Sequence, residues 1–220
     1  KRNRTNSHMS SKTKGLLIVV TGPSAVGKGT ICRALLSEAP HIRFSVSCTT
    51  RPIRPGEQHG VEYFFLTREE FQQKIEAGEL LEWAEVYGNY YGTPRSYVEE
   101  ITDQGQDIIL DIDRVGAKAV RERYPGAVSV FVIPPSMEAL RQRIAARGTE
   151  SPEAVERRLA EAPEWIREGL TYDYVIVNEE LSRAVQQLKA IVVAEKARTV
   201  RGGAALIQTL LEKGALETDD

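Results

Sequence analysis

Leu16-Leu17-Ile18-Val19-Val20-Thr21-Gly22-Pro23-Ser24-Ala25-Val26-Gly27-Lys28-Gly29-Thr30 joins a continuous apolar run to a glycine-bearing turn and then to a stretch of helical period. Five apolar residues without alternation describe a strand covered on both faces of a sheet. The spacing from Gly22 to Lys28 is G-x-x-x-x-G-K, a loop whose glycines let successive backbone N–H groups turn inward onto a phosphate while the helix N-terminus adds its partial positive charge. The candidate triphosphate-binding residues are therefore Gly22, Pro23, Ser24, Ala25, Val26, Gly27, Lys28, Gly29 and Thr30, with Lys28 reaching the β- and γ-phosphates. Gly29 stands where the general pattern has Ser or Thr, so the hydroxyl expected near metal or phosphate is that of Thr30. Bare matches to this spacing occur in unrelated turns; the strand before it and the helix after it argue for the phosphate loop here.

Outward from this stretch the same rhythm repeats. Ile108–Leu110, Val128–Ile133 and Tyr174–Val177 read as further buried strands, and residues 28–38, 94–104, 114–123, 136–147, 152–169 and 180–197 as helices between them. Ser151-Pro152 and Thr93-Pro94 read as N-caps followed by a first-turn proline, and Thr67 with Glu70 as a capping box. Alternating strand and helix imply an α/β fold with a parallel sheet and right-handed crossovers. Two stretches break the rhythm. Residues 44–92 are rich in aromatics and prolines, with strands at Val61–Leu66 and Leu80–Val86 and a turn at Gly88-Asn89; residues 136–170 are charged and helical. Two insertions on such a core suit closure over two ligands. The strand at 108–110 ends in Asp111 and Asp113, two acids on one side of the chain at the carboxyl edge where ligands of open sheets sit. Asp111 is a candidate for holding hydrated Mg²⁺, against the plainer reading of a surface acid after a strand.

Composition limits the alternatives. The 220 residues are 41% hydrophobic and 27% charged, ordinary for a globular chain, and no apolar run approaches the length of a membrane span. A net charge of −2, from 29 basic and 31 acidic residues, lacks the basic excess of a nucleic-acid or membrane-surface binder. Two cysteines make no disulfide framework and fit a reducing, cytoplasmic setting. Residues 1–14 are basic without an apolar core, and His8-Met9 reads as a cloning junction, the alternative being a disordered arm. Beyond Arg201-Gly202-Gly203, Ala204–Leu216 reads as an appended helix before an acidic tail.

The remaining motifs resemble the guanylate kinase family. They are Phe44-Ser-Val-Ser47-Cys48-Thr-Thr-Arg51-Pro-Ile-Arg54-Pro-Gly-Glu57, Gly60-Val-Glu-Tyr63-Phe, Glu82-Trp83-Ala, Gly88-Asn-Tyr-Tyr91-Gly92-Thr93, Leu110-Asp111-Ile112-Asp113, Val132-Ile-Pro-Pro135-Ser136, Arg147-Gly148-Thr149-Glu150 and Val175-Ile-Val-Asn178, in family order over residues 15–197. The resemblance implies a three-layer P-loop NTPase core with a parallel sheet (15–43, 94–135, 171–197), an inserted mixed-β GMP-binding lobe (44–93) and a helical lid (136–170), with 198–220 a C-terminal extension. It implies transfer of the γ-phosphoryl of ATP to GMP, and to dGMP, with Mg²⁺ accompanying ATP. Arg51, Arg54, Tyr63 and Tyr91 would hold the GMP phosphate, as guanidinium forks and phenols suit a dianion. Glu82 would accept from guanine N1–H and N2–H, with Asp113 taking a further amino hydrogen and the hydroxyls of Ser47 and Thr93 serving O6 and N7. Adenine has an acceptor at N1, so such a site rejects it. Lys28, Arg143, Arg147 and Arg158 would be catalytic, and Thr30 with Asp111 would serve the metal.

The acceptor is a phosphate oxygen, already nucleophilic, so no general base is needed, and the three histidines form no catalytic set. Two other readings share parts of this pattern. One is a protein-binding guanylate-kinase-like module and the other a P-loop kinase of another acceptor; Lys28 and Arg51 argue against the first, Glu82 with Asp113 against the second. Cys48 reads as a small buried thiol or, alternatively, a redox-sensitive one beside the substrate. Oligomeric state is left open between monomer and homo-oligomer.

Overall fold

The structure, a computed structural model, describes residues 14–146 and 152–216. The basic arm before residue 14, Arg147 to Ser151 and the acidic tail lie outside the described residues.

A five-stranded sheet is built from β1 (Leu17–Thr21), β2 (Arg43–Phe44), β7 (Ile108–Asp111), β8 (Val128–Ile133) and β9 (Tyr174–Val177) in the order β2-β7-β1-β8-β9. Every pairing in it is parallel. Successive side chains of β1 face opposite ways, and both faces are covered. Ile18 and Val20 join Ile31 and Leu35 of α1 (Lys28–Glu38) and Leu188 of α7 (Leu181–Lys196) on one side. Val19 meets Val98 and Ile101 of α3 (Arg95–Asp103) and Ala117 and Val120 of α4 (Arg114–Arg123) on the other. This double coverage is why β1 carries no polar alternation, and each such fully buried aliphatic contributes about 1.5–3 kcal/mol.

The second sheet holds β3 (Ser47–Thr49), β4 (Tyr63–Phe65), β5 (Leu80–Val86) and β6 (Asn89–Pro94) in the order β4-β3-β6-β5. It is mixed: β3 runs parallel to β4 and antiparallel to β6. Helix α2 (Arg68–Glu76) starts at the expected capping box, with Glu70 N–H donating to Thr67 Oγ1 at 3.1 Å and Thr67 N–H to Glu70 Oε2 at 2.7 Å.

Several local expectations shift. The hairpin turn falls on Tyr87-Gly88 rather than Gly88-Asn89, because Val86 pairs with Asn89; both turn residues have positive φ, +50° and +78°, as a type I′ turn demands. Thr93 does not cap α3. It belongs to β6, Pro94 takes the cap position, and the Thr93 hydroxyl turns inward to Glu82. The strand expected over 61–66 shortens to β4, since positive φ at Gly56 and Gly60 folds the preceding segment into turns. The two- and three-residue strands β2 and β3 are too short to show a period.

Between β8 and β9 lie α5 (Met137–Ala146) and α6 (Pro152–Glu168), whose Leu140, Ile144, Leu159 and Ala162 form their own small core against Ala25 of the phosphate loop. After α7 the buried Glu195 carboxylate is held by Tyr174, Arg198 and Arg201, fixing the root of α8 (Gly203–Leu216). Among the described residues no helix is long and apolar enough to cross a membrane.

Candidate active site

Gly22, Ala25 and Gly27 take positive φ (147°, 62° and 98°), which curls the loop between β1 and α1. A side chain at Gly22 would run into the Val132 carbonyl of β8, so the close approach requires glycine. Helix α1 begins with no side-chain cap and no acid in its first turn, leaving its dipole and first amides uncompensated for an anion. The Lys28 ammonium arches back over the loop and donates to the Gly22 carbonyl at 2.9 Å. From behind, Asn178 Nδ2 donates to the Val26 carbonyl at 2.8 Å. Arg143 on α5 donates to the same carbonyl at 3.2 Å and to that of Asn178 at 2.8 Å. Both ends of the Arg143 guanidinium are thus spent on holding the loop to the end of β9. Arg158 on α6 reaches the loop directly through a bond to Ser24 Oγ.

The departure at Gly29 has a structural reason. A Cβ there would lie 3.2 Å from Asp111 Oδ2, so serine would crowd the carboxylate at the end of β7. Asp111 therefore stands beside the first turn of α1, next to the phosphate loop. Among the described residues no group of three or more His, Cys, Asp or Glu side chains could hold a metal by itself. A single carboxylate beside a phosphate loop fits Mg²⁺, which keeps its waters and binds through phosphates and one or two carboxylates.

On the second sheet β5 and β6 put Glu82 opposite Thr93, and Tyr91 two residues away on the same face. Glu82 is 2% exposed, and its carboxylate accepts from Thr93 Oγ1 at 2.6 Å. Burial pushes its pKa up to about 7, the bonds from Thr93 pull it down, and the Asp113 charge raises it again. Asp113 itself caps α4: its Oδ1 accepts from the N–H groups of Val115 and Gly116 at 2.6 and 3.0 Å. That cap fixes one carboxylate oxygen and leaves Oδ2 for a ligand. Gly116 is a site residue the sequence reading missed. A methyl there would overlap the Glu82 carboxylate. Gly116→Ala is expected to displace the Glu82 carboxylate and so raise the KM of the substrate bound at the second sheet by about tenfold or more, the cost of displacing one buried charged acceptor, with the KM of the phosphate-loop substrate unchanged. Steady-state kinetics with each substrate varied in turn checks it. The only sequence signal was its place three residues after a capping aspartate.

Tyr63 and Tyr91 meet edge to face with centroids 6.0 Å apart, and the Arg51 guanidinium lies 5.5 Å from the Tyr63 ring. Burial pushes Tyr63 up to about 12, so it stays a phenol donor. Arg51 pairs with Glu57 at 2.8 Å, and Glu57 also accepts from Arg54 N–H at 2.8 Å. The loop 51–57 is thereby folded with Arg51 over the site, while Arg54 lies exposed at its rim. Ser47 stands opposite Tyr63 in the β3–β4 ladder. Cys48, one residue on, faces the other way into a cluster with Phe71 and Leu80, where burial pushes its thiol up to about 11. The structure thus favours the plain buried thiol over the reactive one. Thr30 is exposed in the first turn of α1, and Arg147 lies outside the described residues.

A phosphate loop heading a parallel sheet, with an arginine of α6 bonded to it and a buried carboxylate on a second sheet, defines a P-loop phosphotransferase of a small acceptor. The guanylate kinase family model matches residues 14–195. The chain is 82% identical over 212 residues to the guanylate kinase of Symbiobacterium thermophilum, covering 96% of this chain and 100% of that one. It is 52% identical over 187 residues to the guanylate kinase of Desulfitobacterium hafniense, covering 85% and 94%. The crystal structure of guanylate kinase from Anaplasma phagocytophilum superposes with a TM-score of 0.75 at 38% identity, covering 90% of this chain and 96% of that one. The chain belongs to the guanylate kinase family.

Proposed function

We propose that the chain transfers the γ-phosphoryl group of ATP to GMP, giving ADP and GDP, with dGMP as a further acceptor, and so serves purine nucleotide metabolism in the cytoplasm. The observation that carries this reading is the buried Glu82 carboxylate, oriented by Thr93 and set beside Asp113. Guanine offers N1–H and N2–H donors to Glu82 and a second amino hydrogen to Asp113 Oδ2. Because Thr93 gives its proton to Glu82, it acts as the orienting partner, and the Ser47 hydroxyl is the donor for O6 or N7. Arg51, Arg54, Tyr63 and Tyr91 hold the GMP phosphate. Gly22 to Thr30 cradle the triphosphate, and Lys28 and Arg158, with Arg147, neutralise charge on the transferring group. Arg143 acts one step back, holding the loop in shape. Thr30 and Asp111 would hold Mg²⁺, which would neutralise negative charge on the phosphate oxygens and so lower the repulsion met by the anionic acceptor. The acceptor oxygen attacks without a base, and lid and lobe exclude water.

ADP release with GMP, AMP, UMP or a pentose phosphate as acceptor tests this. Rapid turnover with GMP alone is expected; AMP turned over as fast would overturn it. The raised Glu82 pKa adds a second check. Burial raises the Glu82 pKa to about 7, so the free site holds a proton there that a carboxylate in water would have lost, and a guanine edge made of donors requires it gone. GMP binding near pH 7 should release more protons than ribose 5-phosphate, which brings a phosphate without the base. Calorimetry in buffers of differing ionisation enthalpy measures this; equal release for both ligands would remove Glu82 from the base contact.

A further inference from the structure

Tyr87 sits at the tip of the β5–β6 hairpin with φ +50°, a left-handed conformation that a tyrosine adopts only under strain and that Asn or Gly usually supplies in this turn. Its side chain leaves the second sheet altogether. The phenol donates to Glu161 Oε2 of α6 at 2.8 Å. The ring lies 4.9 Å from the Arg157 guanidinium carbon and 4.8 Å from that of Arg158. Glu161 is one helical turn beyond these arginines, so the three form one receptor face for the ring. Arg158 in turn bonds Ser24 of the phosphate loop. One side chain of the acceptor-binding sheet therefore touches the lid arginine that touches the donor-binding loop. A cavity of about 170 Å³ at this seam is lined by Tyr87, Val86, Asp113, Glu161 and Trp165, which places the contact beside the acid of the base pocket.

We propose that Tyr87 is a positioning residue: it latches the hairpin tip to α6 and holds Arg158 over the phosphate loop when the acceptor lobe is in place. This rests on the role given to Arg158 above. The phenol fixes α6 through Glu161, and the ring restricts where the Arg158 guanidinium can swing, so acceptor binding and donor-side charge are coupled through one residue. A surface aromatic with no such role would have no reason to occupy a strained turn position and bring its hydroxyl onto the lid.

Tyr87→Gly tests it, because glycine takes the turn conformation without strain and the melting temperature should stay equal or rise. Loss of one hydrogen bond and two cation–π contacts should lower kcat about tenfold, with smaller changes in either KM. In the parent GMP should tighten binding of a non-hydrolysable ATP analogue, and in Tyr87→Gly it should not. Tyr87→Phe, which keeps the ring, should fall between Tyr87→Gly and the parent. In an Arg158→Ala background, Tyr87→Gly should have no further effect on kcat. An unchanged kcat, or the same factor lost with and without Arg158, overturns the latch. If Arg158→Ala alone leaves kcat unaltered, the role of Arg158 falls first and the latch with it; if Arg158→Ala is slow and Tyr87→Gly is not, only the latch falls.

Discussion

Lys28→Ala is expected to lower kcat about a thousandfold, the scale of removing one preorganised donor from a phosphoryl-transfer site, while leaving the protein folded. The ammonium is held over the loop by the Gly22 carbonyl at 2.9 Å, so it is in place before substrate arrives and loses little freedom when the triphosphate enters. Its removal takes two partly buried hydrogen bonds from the fold, to the Gly22 and Pro23 carbonyls at 2.9 and 3.5 Å, each worth at most about 1 kcal/mol. The loop keeps its shape through the Gly22 approach to Val132 and the Asn178 and Arg143 bonds to Val26, which do not involve Lys28. Single-turnover kinetics with circular dichroism separates the two effects. A kcat within tenfold of the parent would refute the role of the loop lysine.

Glu82→Gln is expected to lower kcat/KM for GMP by about three to four orders of magnitude, because a site built on hydrogen bonds to a base edge loses heavily when one partner is reversed. Thr93 donates at 2.6 Å to the side-chain oxygen, so the glutamine amide must turn its NH₂ toward guanine, where it meets N1–H and N2–H donors. Stability should move the other way. The folded pKa of Glu82, raised to about 7, lies above the unfolded one, so this group's favourable contribution is complete below about pH 4.5 and is lost as pH rises through about 7. Glutamine cannot ionise. Melting temperatures at about pH 8 should therefore be higher for Glu82→Gln than for the parent, with the gap closing at about pH 5. Undiminished GMP turnover would displace Glu82 from the base pocket; a gap independent of pH would displace the burial argument.

The legible part of this site was the part encoded over short distances. Glycine spacing, the apolar run before it and the helix after it specify the phosphate loop within fifteen residues, and β1 and α1 lie where that reading puts them. The capping box at Thr67 was legible for the same reason. Thr93-Pro94 misled because a helix-start signal and a strand end share the same two residues, and the buried Glu82 opposite took the hydroxyl. The turn moved by one residue because pairing of Val86 with Asn89 fixes its register, which no dipeptide preference outweighs.

Membership of a P-loop α/β class, the order of the motifs and the family they resemble were set by sequence alone, since each rests on neighbours along the chain. Which side chains converge was decided by topology. Gly116 leaves room for Glu82, Asp113 caps α4 close enough to Glu82 to raise its pKa, Arg143 supports Val26 from α5, and Tyr87 reaches across to Arg158. These partners are far apart in sequence and carry no shared period. Packing of the mixed sheet against α4, and of α5 and α6 against the phosphate loop, brings them within bonding distance, and burial there raises the pKa of Glu82, which an isolated glutamate in the chain would not show.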